Sequence, residues 1–196
     1  MNYLAHLYLS FGNEEIMVGN FIADAVKGKQ IHHFHGNIQE GIRLHRMIDE
    51  FTDNHPVVYK SKSRIRTNYK KYAGVVIDMF YDHFLAANWQ DFSEDSLLFF
   101  TKRSYQTLFR HYFIMPVRMK KILPAMAAGN WLASYEKIDN IGLALMGMAR
   151  RTKFETGFEN GANDLKLHYI ELFDDFNNFF PELISFSKDC LNVTKS

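Results

Sequence analysis

The sequence is poor in the residues that would simplify its reading. It has one cysteine, Cys190, which cannot close an internal disulfide; that fits a reducing compartment and excludes a thiolate-rich zinc centre. No window approaches the roughly 18 apolar residues of a membrane span. The opening MNYLAHLYLSFGNEE lacks both the basic start and the long apolar stretch of a secretory signal. A soluble, cytoplasmic protein without a membrane partner is therefore expected. Strand signals are missing too, since neither period-two alternation nor Asn-Gly turns occur between Val/Thr-rich runs. No glycine-framed serine supports nucleophilic catalysis, and Gly28-Lys29-Gln30 lacks the spaced glycines and the Ser/Thr of a phosphate loop. Net charge is only +1, and no nucleic-acid partner is expected.

Apolar spacings of three and four recur almost throughout, so the expected fold is all-α, a single compact multi-helix domain over residues 1–196. With 47% hydrophobic and 15% aromatic residues, the chain can bury a sizeable core. Helices are expected at 2–10, 13–27, 36–53, 56–72, 74–89, 93–113, 116–128, 139–150 and 162–190. Gly28 follows one helix, Pro56 suits a first helical turn, Ser93 offers a capping hydroxyl, and Pro116 restarts the chain. Pro124 and Pro181 are expected to kink or divide their helices. Lys29 to Asn37 and Arg151 to Asn163 read as loops.

Charge is unevenly spread. Residues 56–76 carry Lys60, Lys62, Arg64, Arg66, Lys70 and Lys71 with no acid, and residues 102–121 carry six more basic residues, again with no acid. Between Glu155 and Asp189 eight acids face only Lys166 and Lys188. Such a dipolar surface suits an anionic partner, although two ordinary solvated helix faces would read the same way.

The remaining signal is a set of ionisable residues on apolar helices. Positions four apart share a helix face, which pairs His45 with Asp49, Asp49 with Asp53, Asn20 with Asp24, and Asp78 with Asp82. His83 follows Asp82, turned about 100° around the helix. Asp24 lies in FIADAV, and Asp78 and Asp82 lie in VVIDMFYDHFL, so these acids are expected inside the fold or at a cleft. Buried carboxylates are costly unless paired or metal-bound, and carboxylate-rich sets with some imidazole suit Mg, Mn or Fe. Taken jointly, Asp24, His45, Asp82 and His83 point to a divalent metal site. A plainer reading stands beside each: a helix-face hydrogen bond for His45 and Asp49, caps or arginine partners for Asp78 and Asp82, a core histidine for His6. The loop histidines 32, 33 and 35 have no acids beside them and read as solvent-exposed.

Four ordered blocks, Met1 to Leu9, Gly19 to Gly28, Gly41 to Asp53 and Asp78 to Leu85, closely resemble the acyl carrier protein phosphodiesterases, with weaker echoes at Trp131-Leu132 and Gly147 to Arg151. The resemblance implies a helical fold akin to the HD phosphohydrolases and an Mn- or Mg-dependent hydrolase. Its substrate would be holo acyl carrier protein, its products apo carrier and 4′-phosphopantetheine, which places it in the lipid metabolism of fatty acid biosynthesis. The usual His-Asp doublet stands here reversed, as Asp82-His83. On this reading Asp24, His45, Asp82 and His83 are the expected metal ligands, with His6, Asp49 and Asp78 as further ligands or orienting groups, and the catalytic set is Asp24, His45, Asp49, Asp82 and His83. Mn is the expected metal, with Mg or Fe as alternatives. Arg43, Arg46 and Arg151 would hold the substrate phosphate, and the basic stretches would dock the acidic carrier protein. Two rival functions stand open: an HD-like phosphohydrolase acting on nucleotides, and a non-catalytic helical module binding an acidic partner.

Overall fold

In the computed structural model, which describes residues 1–193, the chain is a single all-helical domain of eleven α-helices, with no strand among the described residues. In chain order they are α1 (Tyr3–Tyr8), α2 (Glu14–Ile22), α3 (Gly36–Asn54), α4 (Pro56–Tyr69), α5 (Ala73–Ala87), α6 (Leu97–Arg110), α7 (Val117–Ala128), α8 (Trp131–Ser134), α9 (Ile138–Ala149), α10 (Gly161–Leu167) and α11 (Tyr169–Val193). Short 3₁₀ turns join several of them, including Ala23–Ala25 and Gly28–His33.

Helix ends mostly follow their capping chemistry. Asn13 opens α2 by accepting from the Ile16 amide, with Glu14 and Glu15 in the first turn to meet the helix dipole. Pro56 starts α4, and His55 before it accepts from the Val57 amide. The expected cap at Ser93 is displaced: Ser96 accepts from the Phe99 amide and α6 begins at Leu97. Pro181 sits within the continuous α11 and does not divide it. The break falls at His168 instead, so the single helix expected over 162–190 is two. The loop expected from Lys29 is largely a 3₁₀ turn, and the four-residue α8 was not anticipated.

α5 is mostly apolar and is buried without a break from Met79 to Ala86, as befits a helix in the middle of a core. Val76, Ile77, Met79, Phe80, Tyr81, Phe84 and Leu85 are all buried on it. Aromatics of α11 close over it, with Phe176 edge-on to Tyr81 at a ring distance of 5.5 Å. A buried polar knot joins α4 to α11: Asp175 accepts from Ser61 Oγ at 2.9 Å, Lys60 Nζ at 3.0 Å and Arg64 Nε at 3.2 Å. Burial alone would raise the Asp175 carboxyl, but these three donors hold it below the ordinary carboxylate value. Lys60 and Arg64, two of the basic residues expected to dock a partner, are thus engaged internally.

The contact that places the site is between α2 and α3. A Cβ on Gly19 would stand 2.1 Å from the Ile38 carbonyl oxygen, and one on Gly41 would stand 2.2 Å from that of Ile16. Only glycines allow two helix backbones this close. Their approach brings Asn20 on α2 and Asp24 just beyond it against His45 on α3.

Candidate metal centre

The site is built from three segments. α1 contributes His6, the end of α2 contributes Asn20 and Asp24, and α3 contributes His45 and Asp49. The rings of His6 and His45 stack at a centroid distance of 3.9 Å and 18° between planes. One donor atom from each of His6, His45 and Asp49 falls within 4.8 Å of the others, the grouping among the described residues that could hold a metal ion.

Asn20 fixes both imidazoles. Its side chain is fully buried, and its Nδ2 donates to the His6 carbonyl at 2.7 Å and to Ser10 Oγ at 3.3 Å. The amide can therefore point only one way, with Oδ1 toward the rings. That oxygen lies 2.9 Å from His6 Nδ1 and 3.2 Å from His45 Nδ1. An amide oxygen only accepts, so both histidines carry a proton on Nδ1 and turn Nε2 toward the carboxylates. His45 Nε2 lies 3.1 Å from Asp49 and 3.3 Å from Asp24, and His6 Nε2 lies 3.2 Å from Asp49.

The electrostatics of the two rings differ. Burial, then the neighbouring His45, lowers His6 to about 4, so its Nε2 is a bare lone pair at neutral pH. That atom is buried, and no hydrogen bond satisfies it. Two acceptors, an imidazole lone pair and a carboxylate oxygen, thus face each other at 3.2 Å, which is unfavourable unless positive charge lies between them. Burial also pulls His45 down, but its hydrogen bonds to Asp24 and Asp49 outweigh this and raise it to about 9. Asp24 is lowered by its hydrogen bond to His45; Asp49, despite the opposing effect of burial, is held far below the ordinary carboxylate value, with the hydrogen bond from His45 the largest lowering cause. A proton on His45 or a divalent cation can fill this focus of negative potential, and the donor set of imidazole and carboxylate fits Mn, Mg or Fe.

These groups open onto a cavity of about 400 Å³ whose lining also includes Met1, Tyr3, Thr52, Asp53, Asp78 and Arg118. The structure places Asp78 in this lining, 3.0 Å from the Met1 ammonium group. It does not bring Asp82 or His83 there. Asp82 is fully buried and accepts from the Leu4 and Ala5 amides at 2.8 and 3.2 Å, capping the first turn of α1. Burial pushes its carboxyl up to about 7. His83 donates through Nδ1 to the Tyr135 carbonyl at 2.8 Å and packs edge-on against Tyr169. These bonds tie Asp82 to the start of α1 and His83 to the turn after α8.

The arginines divide similarly. Arg43 donates to Gln39 on its own helix, and Arg46 donates to the Val26 carbonyl. Arg151 is exposed, bonds the Gly147 carbonyl, and lines a neighbouring, larger cavity. Sequence reasoning passed over Arg118, which lines both cavities and has no ion pair among the described residues. It lies within the basic stretch 102–121, where its charge was visible but its position was not. Asn20 was legible only as a helix-face partner of Asp24; its hold on two histidines depends on how α1, α2 and α3 meet.

Residues 1–183 match the family model described as acyl carrier protein phosphodiesterase. Among curated proteins, the acyl carrier protein phosphodiesterase of Serratia proteamaculans is 31% identical over 96% of this chain and 98% of its own length. Those of Photorhabdus laumondii and Yersinia enterocolitica are each 30% identical, over 94% and 96% of this chain and 93% and 98% of their own. No solved structure matches the chain.

Proposed function

The chain belongs to the acyl carrier protein phosphodiesterase family, and from that membership we propose that it hydrolyses the phosphodiester joining 4′-phosphopantetheine to a serine of a holo acyl carrier protein. The observation that carries this reading is the unsatisfied Nε2 of His6 facing Asp49 beneath a histidine tautomer set by Asn20. Such an arrangement is made for a divalent cation, and Mn is the metal we assign, with Mg or Fe able to take the same donors.

When bound, the cation supplies a Lewis acid that makes water nucleophilic at neutral pH and offsets charge growing on the phosphoryl oxygens. His6, His45 and Asp49 hold it, Asp24 stands beside His45 as a fourth donor, and Asn20 keeps both rings in the ligating tautomer. Asp78, paired with the Met1 ammonium group, and Asp53, paired with Lys62, line the same cavity and would take a proton from incoming water. Arg118 faces the same space and meets the phosphate as a planar fork of donors. Water oxygen bonds to phosphorus, the bond to the serine oxygen breaks, and a proton passes to that oxygen, leaving apo carrier and 4′-phosphopantetheine.

An acidic carrier would be steered by the basic residues left exposed, including Arg66, Lys102, Arg103 and Lys121. Apolar side chains beside the second run give it grip, with Leu98 65% and Phe113 87% exposed. No helix among the described residues is long and apolar enough to cross a membrane, and a cytoplasmic setting, where carrier proteins are free to diffuse, fits the reading. The test is to incubate the purified protein with Mn and holo carrier and weigh the carrier by mass spectrometry. Loss of the prosthetic group, abolished by a chelator, is the expected outcome; a carrier whose mass never changes would overturn the proposal.

A further inference from the structure

The larger cavity, of about 770 Å³, lies between α1, α7, α8 and α9. It adjoins the candidate metal centre, since Tyr3, Arg118 and Met148 line both spaces. The two differ in chemistry. Asp24, Asp49, Asp53 and Asp78 crowd the smaller one, whereas no acid lines the larger, whose walls are mainly Tyr3, Ile122, Trp131, Tyr135, Leu143 and Met148. Its charged groups are Arg118 at the junction and Arg151. Its volume falls in the range of roughly 300–1,000 Å³ usual for small-molecule sites.

A mainly apolar cavity with an arginine where it meets the proposed phosphate-cleaving centre fits one shape of ligand: a phosphate ester with a long, uncharged organic tail. We propose that this cavity receives the pantetheine arm, with Arg118 holding the phosphate where the two spaces meet. Asn140 lines the cavity and spends its Nδ2 on the Ser134 carbonyl, which leaves Oδ1 as an acceptor for an amide N–H of the arm. Specificity for the prosthetic group then resides mainly in α7–α9, while α1–α3 carry the metal-binding side chains. The inference rests on the hydrolase reading above, which supplies the ligand.

Gly147 gives a clean way to test it. It lies on α9, lines the cavity, and a Cβ built on it meets no atom within 4 Å. Gly147→Phe therefore fills the cavity without forcing the helix apart, and removing a helix-interior glycine does not weaken the helix. Calorimetric titration with Mn present compares 4′-phosphopantetheine and inorganic phosphate as ligands. The parent protein is expected to bind 4′-phosphopantetheine at least tenfold more tightly, and in Gly147→Phe the ratio should collapse toward one while phosphate affinity holds. Equal affinity for both ligands in the parent, or an undiminished ratio in the variant, would overturn the inference. If Gly147→Phe melts at a much lower temperature than the parent, the smaller Gly147→Met is read by the same ratio. Carrier cleavage by the parent with no change of ratio in the variant would refute the arm site alone; absence of carrier cleavage would refute both readings.

Discussion

Replacing Asn20 with leucine, close in volume but unable to hydrogen-bond, separates metal organisation from mere packing. The substitution deletes the bonds from Oδ1 to His6 Nδ1 and His45 Nδ1 and those from Nδ2 to the His6 carbonyl and Ser10. The His6 carbonyl keeps Ser10 Oγ at 3.0 Å, so the groups stranded are the two buried imidazole N–H donors. At about 1–3 kcal/mol for each unsatisfied buried group, the variant should lose about 2–6 kcal/mol of stability. That is a large share of the ~5–15 kcal/mol of a typical domain, so melting temperature should fall well below that of the parent. Metal affinity should fall by about 10–100-fold, as it does when groups behind metal-bound histidines are removed. Asn20→Asp keeps an acceptor for both Nδ1–H groups but sets a carboxylate oxygen against the His6 carbonyl. It should therefore bind Mn more tightly than Asn20→Leu while remaining less stable than the parent. Calorimetric Mn titration, run below the midpoint of each variant, reads the affinities. A folded Asn20→Leu protein that bound Mn within twofold of the parent would refute the role given to Asn20.

Three further outcomes follow from the same geometry. Gly41→Ala sets a Cβ 2.2 Å from the Ile16 carbonyl oxygen, so a loss of about 1–3 kcal/mol is expected with weaker Mn binding as α2 is pushed from His45; an unchanged melting curve would contradict the close approach. Asp82→Ala removes both acceptors for the first amides of α1, and a loss of about 1–3 kcal/mol in denaturant titration is expected, accompanied by reduced metal affinity because α1 carries His6. Asp175 has a folded-state value depressed below the ordinary 3.8, so its contribution to stability is present above that pH and is lost as pH falls through the folded value. The stability gap between the parent and Asp175→Asn should therefore narrow as pH drops below about 4, and a gap constant with pH would show that the knot with Lys60, Arg64 and Ser61 is not ionic.

The sequence makes much of this fold legible, for local reasons. α3, α4 and α5 carry strong signals, such as Pro56 and the largely apolar run around Phe80, and they fall where the periodicity places them. The division at His168 and the brief α8 carry no comparable punctuation and arise from how α9, α10 and α11 pack. Within the site, His45 and Asp49 were visible because four-residue spacing sets them on one face, and the structure unites them with Asp24 and His6. Asp82 and His83 were harder. On a stretch buried all round, such as Met79 to Ala86, spacing says that a polar group is inside but not which neighbour it faces, and here the neighbours are the amides of α1 and the carbonyl of Tyr135. Arg118 shows the converse, since its charge marks it as surface, as it is, but not as a surface residue that lines the same cavity as His6.

The most direct measurement is an anomalous difference map from crystals of the protein grown with Mn. One peak bonded to Nε2 of both His6 and His45 and to a carboxylate oxygen of Asp49 is the expected result. A peak at Asp82 and His83 with none at the stacked histidines, or Mn absent from all of these residues while the solution enzyme depends on it, would contradict the centre described here.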